Sequence, residues 1–209
     1  PRASVVAVNG TVQCVGGPNS GTVNDVYRRV GRAVARVLDE GVNRLPKSGE
    51  SYTFHGRDVY ADTGARLAAG IIDFEGVGPE IPAETVTELP VVEAYREGEV
   101  VHGTIDVLDV RFGSLWTNVS RELFVALDIA HGGRVEVCIE NDTRTVYQNF
   151  MLYVRSFADV HMGEPLIYVN SFDNMAVAIN QGSFARAYNI GTGNSWRISF
   201  RKAPKLIYE

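Results

Sequence analysis

The run Tyr52-Thr53-Phe54-His55-Gly56-Arg57-Asp58 is the most informative stretch of this chain, and the pattern around it decides the fold class of the first half. Before it, apolar residues recur at helical spacing with arginines on the opposite face, which predicts a helix over Asn24–Leu38. After it, a run of small residues predicts a second helix over Tyr60–Ala69. His55 is a candidate for proton transfer, because histidine is the side chain that changes charge near neutral pH.

Two short β-branched runs open the chain, Ser4–Val8 and Val12–Val15. Asn9-Gly10 lies between them and predicts a β-hairpin. A loop rich in glycine is expected over Gly16–Gly21. The order along the chain is two strands, a helix, the histidine motif and a second helix. This mixture of strands and helices indicates an α/β domain.

The second half is built differently. Prolines and glutamates are interspersed over residues 79–90, a pattern typical of a linker between domains. We therefore expect an α/β domain over residues 1–89 and a second domain over 90–209. Short helices are predicted at Ser120–Leu127 and Ser183–Tyr188. Strands are predicted at Val100–Val107, Arg134–Ile139, Thr143–Val154, Pro165–Val169, Met175–Ile179 and Ser195–Arg201. Short strands separated by turns predict an all-β barrel or sandwich.

The composition is that of an ordinary soluble globular protein, with 45% hydrophobic and 22% charged residues. A net charge of -5 and a pI of about 5.4 disfavour nucleic acid as a partner. We expect no membrane span and no signal peptide, because the chain shows neither pattern. Cys14 and Cys138 lie in apolar, strand-like runs, and two buried thiols favour a reducing, cytoplasmic compartment over a disulfide framework.

Four ordered segments carry a resemblance to a known family. Thr53–Asp58 followed by Ala65–Gly70 resembles the signature of the S-adenosyl-L-methionine (SAM) hydroxide adenosyltransferases. These are SAM hydrolases related to the SAM-dependent fluorinase and chlorinase. The other three similar segments are Gly17–Gly21, Asp109–Asn118 and Tyr168–Asn174 continued by Ala178–Phe184. The resemblance covers essentially the whole chain in order.

The resemblance implies an N-terminal α/β domain and a C-terminal β domain, assembled as a homotrimer with active sites between subunits. Family members begin with a longer segment that includes an Asp-Pro-Gly-Val-Gly loop. This chain starts at Pro1, where that loop should end, so we expect a fragment, a processed chain or an incomplete sequence whose α/β domain lacks its first segment. Arg2 then falls on the family's catalytic arginine, and the catalytic aspartate would lie upstream.

The resemblance gives His55 and Arg2 catalytic roles. The reaction is displacement at C5′ of SAM with methionine as leaving group, and water needs a general base or a positive pocket to act as the nucleophile. The halogenating relatives carry tyrosine at the position of His55, and the fluorinase carries serine at that of Gly56, so the pair favours water over halide. Without the family context, a loop histidine bonded to the backbone would be the simpler interpretation.

Substrate-binding residues follow from the same resemblance. Asp109 would bind the cationic amine of the methionine part, and Ser171 and Phe172 would hold its amino-acid end. Phe112 and Phe157 would flank the adenine, although such residues are more often part of a core. The backbone near Asn180 and Gln181 would read the adenine edge. The chain has Ser114 and Phe172 where the fluorinase has asparagine and arginine.

Arg57 and Asp58 are expected to serve structure, with Asp58 capping the following helix and Arg57 pairing with a carboxylate. His102, His131 and His161 lie apart, without cysteines or carboxylates at ligand spacing, so no metal and no cofactor are expected.

The leading hypothesis is therefore hydrolysis of SAM to adenosine and L-methionine. A SAM-dependent 5′-halogenase is the alternative within the enzyme class. A module that binds SAM or adenosine without turnover is the alternative from another class.

Overall fold

The structure is a computed structural model that describes residues 3–8, 13–20, 34–50 and 53–204. The chain divides into two compact units, Pro1–Leu89 and Pro90–Glu209, and each is described by itself.

The first unit contains a four-stranded sheet in the order β2-β1-β3-β4. Its strands are β1 (Ala3–Val8), β2 (Gln13–Pro18), β3 (Val34–Val37) and β4 (Glu80–Ile81). The predicted hairpin is confirmed, because β1 and β2 pair antiparallel, with Val8 opposite Gln13 and Ala3 opposite Pro18. The turn of the hairpin lies outside the described residues. Strand β2 runs on to Pro18, where a loop was expected. It lies at the sheet edge, where proline's missing N–H is tolerated.

The predicted helix over Asn24–Leu38 is wrong at its C-terminal end, and residues 21–33 lie outside the described chain. Val34–Val37 forms β3, which pairs with β1 on one side and β4 on the other. Ala35 is buried in the middle of this sheet. Antiparallel pairing on both sides supplies partners for the backbone groups, and this non-local gain outweighs the local helical periodicity.

The histidine motif opens the helical part of the unit. His55 immediately precedes a π-helical segment, Gly56–Ala61, which continues into helix α1 (Asp62–Ala68). This confirms the helix predicted around Tyr60–Ala69. Short 3-10 segments follow at Glu75–Val77 and Ala83–Thr85.

Leu38, Val59 and Val77 form a small buried core. This core packs the end of β3 against the π-helical segment and the 3-10 segment Glu75–Val77. Because the described strands of the unit all pair antiparallel, they do not form the βαβ repeat of a parallel α/β sheet.

The second unit is a β-barrel. Its strands are β5 (Tyr95–Glu97), β6 (Val100–Leu108), β7 (Leu115–Ser120), β8 (Arg134–Glu140), β9 (Thr145–Tyr153), β10 (Pro165–Val169), β11 (Asn174–Ile179) and β12 (Gly193–Lys202). They form an eight-stranded sheet in the order β12-β8-β9-β10-β11-β7-β6-β5. Strand β12 also pairs with β6, which closes seven strands into a barrel and leaves β5 outside the ring. The described neighbours pair antiparallel except β9 and β10.

The six strands predicted for this unit are confirmed, as are short helices α2 (Arg121–Val125) and α3 (Phe184–Tyr188). Strands β5 and β7 were missed. Strand β7 alternates buried Leu115, Thr117 and Val119 with half-buried residues, the expected pattern of a barrel wall. Cys138 is half-buried rather than fully buried, and the side chain of Cys14 is outside the described set. The helices among the described residues are too short or too polar to cross a bilayer.

Candidate functional site

A cavity of about 510 Å³ opens at one end of the barrel. It forms where the loop after β6, the 3-10 segment Phe157–Asp159 and the turn between β11 and α3 meet. Four of the predicted substrate-binding residues line it: Phe112, Phe157, Asn180 and Gln181. Two aromatic rings with polar groups beside them can hold a flat heteroaromatic ligand.

The loop from Asp109 to Ser114 is closed by its own hydrogen bonds. The Asp109 N–H donates to the Ser114 carbonyl (2.9 Å), and the Gly113 N–H donates to the Asp109 carbonyl (2.6 Å). One carboxylate oxygen of Asp109 accepts the Arg111 N–H at 3.0 Å. The loop therefore orients Asp109 before any ligand arrives and leaves Phe112 68% exposed beside the cavity.

Asn180 and Gln181 are held by the backbone around them. The Asn180 side-chain amide donates to the Val160 carbonyl (2.9 Å), and its backbone N–H donates to the Glu164 carbonyl (2.9 Å). Gln181 has φ +57, a left-handed conformation that reverses the chain at this point. The ring of Phe157 makes an edge contact with Tyr168 at 5.1 Å. These contacts make this wall of the cavity rigid.

Ser171 and Phe172 lie in the turn that precedes β11, and Asn180 follows the other end of that strand, which is about 17 Å long by the rise of an extended strand. They belong to a turn in which the Asn170 side chain accepts N–H bonds from Phe172 (2.9 Å) and Asn174 (3.1 Å). Phe172 is exposed and contacts Trp116 edge-on at 5.3 Å. The structure therefore brings four predicted substrate residues to the cavity and places these two at a separate end of the strand.

His55 belongs to a charged cluster in the first unit. Its Nε2 lies 3.6 Å from Oε2 of Glu40 and 3.5 Å from Nη2 of Arg44. The same Nη2 donates to Glu40 Oε2 at 2.6 Å. The sequence interpretation missed Glu40 and Arg44, because their i, i+4 spacing precedes the motif in a segment without helical periodicity. Arg2, the other predicted catalytic residue, lies outside the described residues.

Asp58 does not cap the helix as expected. Its buried carboxylate instead accepts two bonds from its neighbour Arg57, at 2.5 and 3.1 Å. These bonds hold the pKa of Asp58 below its ordinary value, against the opposing effect of desolvation. The expectation that Arg57 pairs with a carboxylate is therefore confirmed. The guanidinium also lies 4.9 Å from the ring centre of Phe54.

Two of the other histidines make aromatic contacts. His102 stacks on Tyr95 at 4.9 Å, and His131 stacks on Tyr153 at 4.3 Å. The part of the chain that the structure describes contains no group of three or more histidine, cysteine or carboxylate side chains arranged to hold a metal ion.

Proteins similar to this chain include SAM hydrolases and fluorinases. A SAM hydrolase from Thermus thermophilus is 35% identical over 70% of this chain and 49% of its own length. A SAM hydrolase from Salinispora tropica is 32% identical over 88% of this chain and 64% of its own length. A fluorinase from Actinopolyspora mzabensis is 27% identical over 87% of this chain and 59% of its own length. The chain thus spans roughly half to two thirds of these curated relatives.

A crystal structure of an uncharacterized conserved protein from Thermotoga maritima superimposes with a TM-score of 0.74 at 25% identity, over 96% of this chain and 72% of that one. The family model for the SAM hydroxide adenosyltransferase N-terminal domain matches residues 1–78, and the model for the C-terminal domain matches residues 103–197. With both domains matched in order, the chain belongs to the SAM hydroxide adenosyltransferase family.

Proposed function

We propose that this protein hydrolyses SAM to adenosine and L-methionine by attack of water at C5′ of the ribose. The observation that carries the proposal is the cavity flanked by Phe112 and Phe157, in a family member that carries His55 in its motif. Several of the relatives are named SAM hydrolases.

In this reaction only the nucleophile needs to be activated by the protein. The sulfonium of SAM is already a good leaving group, whereas water is a poor nucleophile. His55 takes a proton from the attacking water, a C5′–O bond forms, and the C5′–S bond breaks with its electron pair going to methionine sulfur. Arg2 supplies positive charge that favours hydroxide character in the attacking water. Neither a metal nor a redox cofactor takes part in the proposed reaction.

The barrel unit would bind the two ends of the substrate. Adenine lies between Phe112 and Phe157, with Asn180 and Gln181 at its edge. The carboxylate of Asp109 pairs with the α-ammonium of the methionine part. Ser171 and the backbone of Phe172 bind the amino-acid end, as the family resemblance implies.

We also propose the assembly that the family resemblance implies. In a cytoplasmic homotrimer, His55 and Arg2 of one subunit would face the substrate-binding residues of its neighbour. The partner in this proposal is a second copy of the chain, and the ligand is a small molecule.

Oxygen-18 water tests the reaction directly. The full-length protein is incubated with SAM in oxygen-18 water, and adenosine is analysed by mass spectrometry. We expect one oxygen-18 atom in the 5′-hydroxyl of the adenosine. His55→Ala should lose turnover and therefore produce little labelled adenosine. Adenosine without label would contradict displacement at C5′. Tight adenosine binding by calorimetry without any product would instead favour a binding module.

The relatives named fluorinase keep a SAM-dependent halogenase as the second candidate. The discriminating residues are His55 and Gly56, since a halide site needs a pocket that excludes water. Product analysis in chloride or fluoride buffer separates the two reactions. A 5′-halo-adenosine as the main product would reverse the order of the two candidates.

A further inference from the structure

The cavity at the end of the barrel is lined by two arginines as well as by aromatic rings. Arg111 belongs to the loop after β6, and Arg186 belongs to helix α3. The Gly113 carbonyl accepts the Ala185 N–H at 3.0 Å, and this bond joins the loop to the helix close to both arginines. The two guanidinium groups therefore belong to adjoining walls of one site.

Both arginines are exposed and carry charge that the surrounding residues do not offset. Within the part of the chain that the structure describes, neither side chain makes an ion pair or a hydrogen bond. The described lining of the cavity contains no aspartate or glutamate. The cavity is therefore positive, although the chain as a whole carries a net charge of -5.

The carboxylates of the adjoining segments are directed to backbone groups. Asp109 accepts the N–H of Arg111 at 3.0 Å, and Asp159 accepts the N–H of Ser156 at 3.0 Å. Neither carboxylate belongs to the described lining of the cavity. The positive charge of the two guanidinium groups is therefore available to a ligand.

SAM does not match this charge. At neutral pH its sulfonium and its ammonium are positive and only its carboxylate is negative, so the molecule is a net cation. Two guanidinium groups repel a cation, whereas they attract an adenine compound that carries phosphates. Arginine also suits phosphate geometrically, because its N–H groups form a planar fork that binds two oxygens at once.

We propose that adenine nucleotides with a 5′-phosphate chain bind in this cavity and compete with SAM. The adenine lies between Phe112 and Phe157, and the phosphates pair with Arg111 and Arg186. The cavity of about 510 Å³ has the size of a small-molecule site, so a ligand that fills it reaches both the rings and the arginines. The competition rests on the proposed function, in which the same rings hold the adenine of SAM.

Calorimetric titration of the full-length protein with adenosine diphosphate (ADP) and with adenosine tests the site. We expect ADP to bind roughly tenfold more tightly than adenosine at low salt, and this advantage should shrink as salt is added. Inorganic pyrophosphate, which lacks the adenine, should bind more weakly than ADP. Equal affinities for ADP and adenosine, or for ADP and pyrophosphate, would overturn the proposal.

Two variants test the residues. Arg111→Gln and Arg186→Gln should each weaken ADP binding roughly 3–10-fold and leave adenosine binding unchanged, because each removes one charge-assisted contact. The matched control is Arg144→Gln, at an exposed arginine of the same unit that does not line the cavity, and it should bind ADP as the wild type does. An equal loss for ADP and adenosine, as expected if the arginines hold a neighbouring subunit in place, would overturn the assignment.

Steady-state kinetics with SAM separates this inference from the proposed function. ADP should raise KM for SAM without lowering kcat, and KM should not rise in Arg111→Gln or Arg186→Gln. A higher KM in these variants would mean that the arginines bind the carboxylate of SAM, and would overturn the inference. A protein that binds ADP through both arginines but makes no adenosine would refute the proposed hydrolysis and leave the nucleotide site intact.

Discussion

Asp58 is a buried carboxylate whose charge is balanced mainly by its neighbour Arg57. The two bonds from Arg57 lower its pKa below the ordinary value of 3.8. A group whose pKa is lower in the folded than in the unfolded protein stabilises the fold above its unfolded pKa. That contribution is lost as the pH falls through the folded pKa.

We therefore expect Asp58→Asn to be less stable than the wild type at pH 7 and to lose less stability than the wild type on acidification below about pH 4. Urea unfolding at a series of pH values measures both effects. Asp142→Asn, at an exposed carboxylate paired with Arg197, is the control and should differ little from the wild type. Parallel pH curves for Asp58→Asn and the wild type would contradict this prediction.

Gly113 connects the loop of Asp109 and Phe112 to helix α3. Its φ is +68, and its carbonyl accepts the Ala185 N–H at 3.0 Å. A Cβ at this position would meet the Oγ of Ser183 at 2.0 Å and its Cα at 2.7 Å. The loop can therefore lie against the helix only because residue 113 is glycine.

Gly113→Ala should push the loop away from α3 and distort the cavity. We expect a loss of stability about 1–3 kcal/mol larger than that of Gly98→Ala, together with weaker SAM binding. Gly98 is the matched control, because its φ is +58 but a Cβ added there would meet no atom within 4 Å. Calorimetric titration and urea unfolding provide the two measurements. Equal losses in the two variants would show that the contact with Ser183 does not matter.

Arg121, which lies outside the turn between β10 and β11, binds Asp173 within that turn. Its guanidinium binds both carboxylate oxygens of Asp173 (2.6 and 3.0 Å), and its backbone N–H donates to the Asp173 carbonyl (2.9 Å). Asp173 has φ +60 and follows Ser171 and Phe172 in the same turn. The ion pair therefore fixes the residues proposed to hold the amino-acid end of SAM.

Arg121→Ala should weaken SAM binding roughly 2–5-fold, the modest effect of an exposed ion pair. Binding of adenosine, which lacks the amino-acid end, should not change. Arg197→Ala is the control, because that arginine pairs with Glu140 and Asp142 instead. Calorimetry with both ligands measures the difference, and an equal loss for SAM and adenosine would argue against a local effect.

The proposed assembly makes a prediction for mixtures of inactive chains. His55→Ala should keep SAM binding and lose roughly 10²–10⁴-fold in turnover, as for removal of a general base. Asp109→Ala should instead weaken SAM binding and be inactive for that reason. If sites are shared between subunits, a mixed trimer contains an interface with both halves intact, and mixing should restore part of the activity.

Subunit exchange must be shown independently, for example by native mass spectrometry of differently tagged chains. Exchange without any recovered activity would refute the shared site. Each inactive chain mixed with itself is the control and should remain inactive.

Six of the seven barrel strands and the family could be recognised from the amino-acid sequence alone. Alternating apolar residues predict strands directly, because strand side chains point to opposite faces and only one face of a barrel wall is buried. Residues such as Val135, Val137 and Ile139, which the structure buries, could therefore be recognised without coordinates. The His55 motif was equally visible, since a contiguous signature does not depend on what folds against it.

The remaining features depend on contacts between residues distant in sequence, which no local pattern encodes. Val34–Val37 has helical spacing but forms a strand because β1 and β4 offer it backbone partners. Phe112 and Gln181 are far apart in sequence and meet at one cavity because β7, which follows the loop of Phe112, pairs with β11, which precedes Gln181. Glu40 carries no local signal, and its place beside His55 follows from how the chain turns after β3 and packs against residues 76–77.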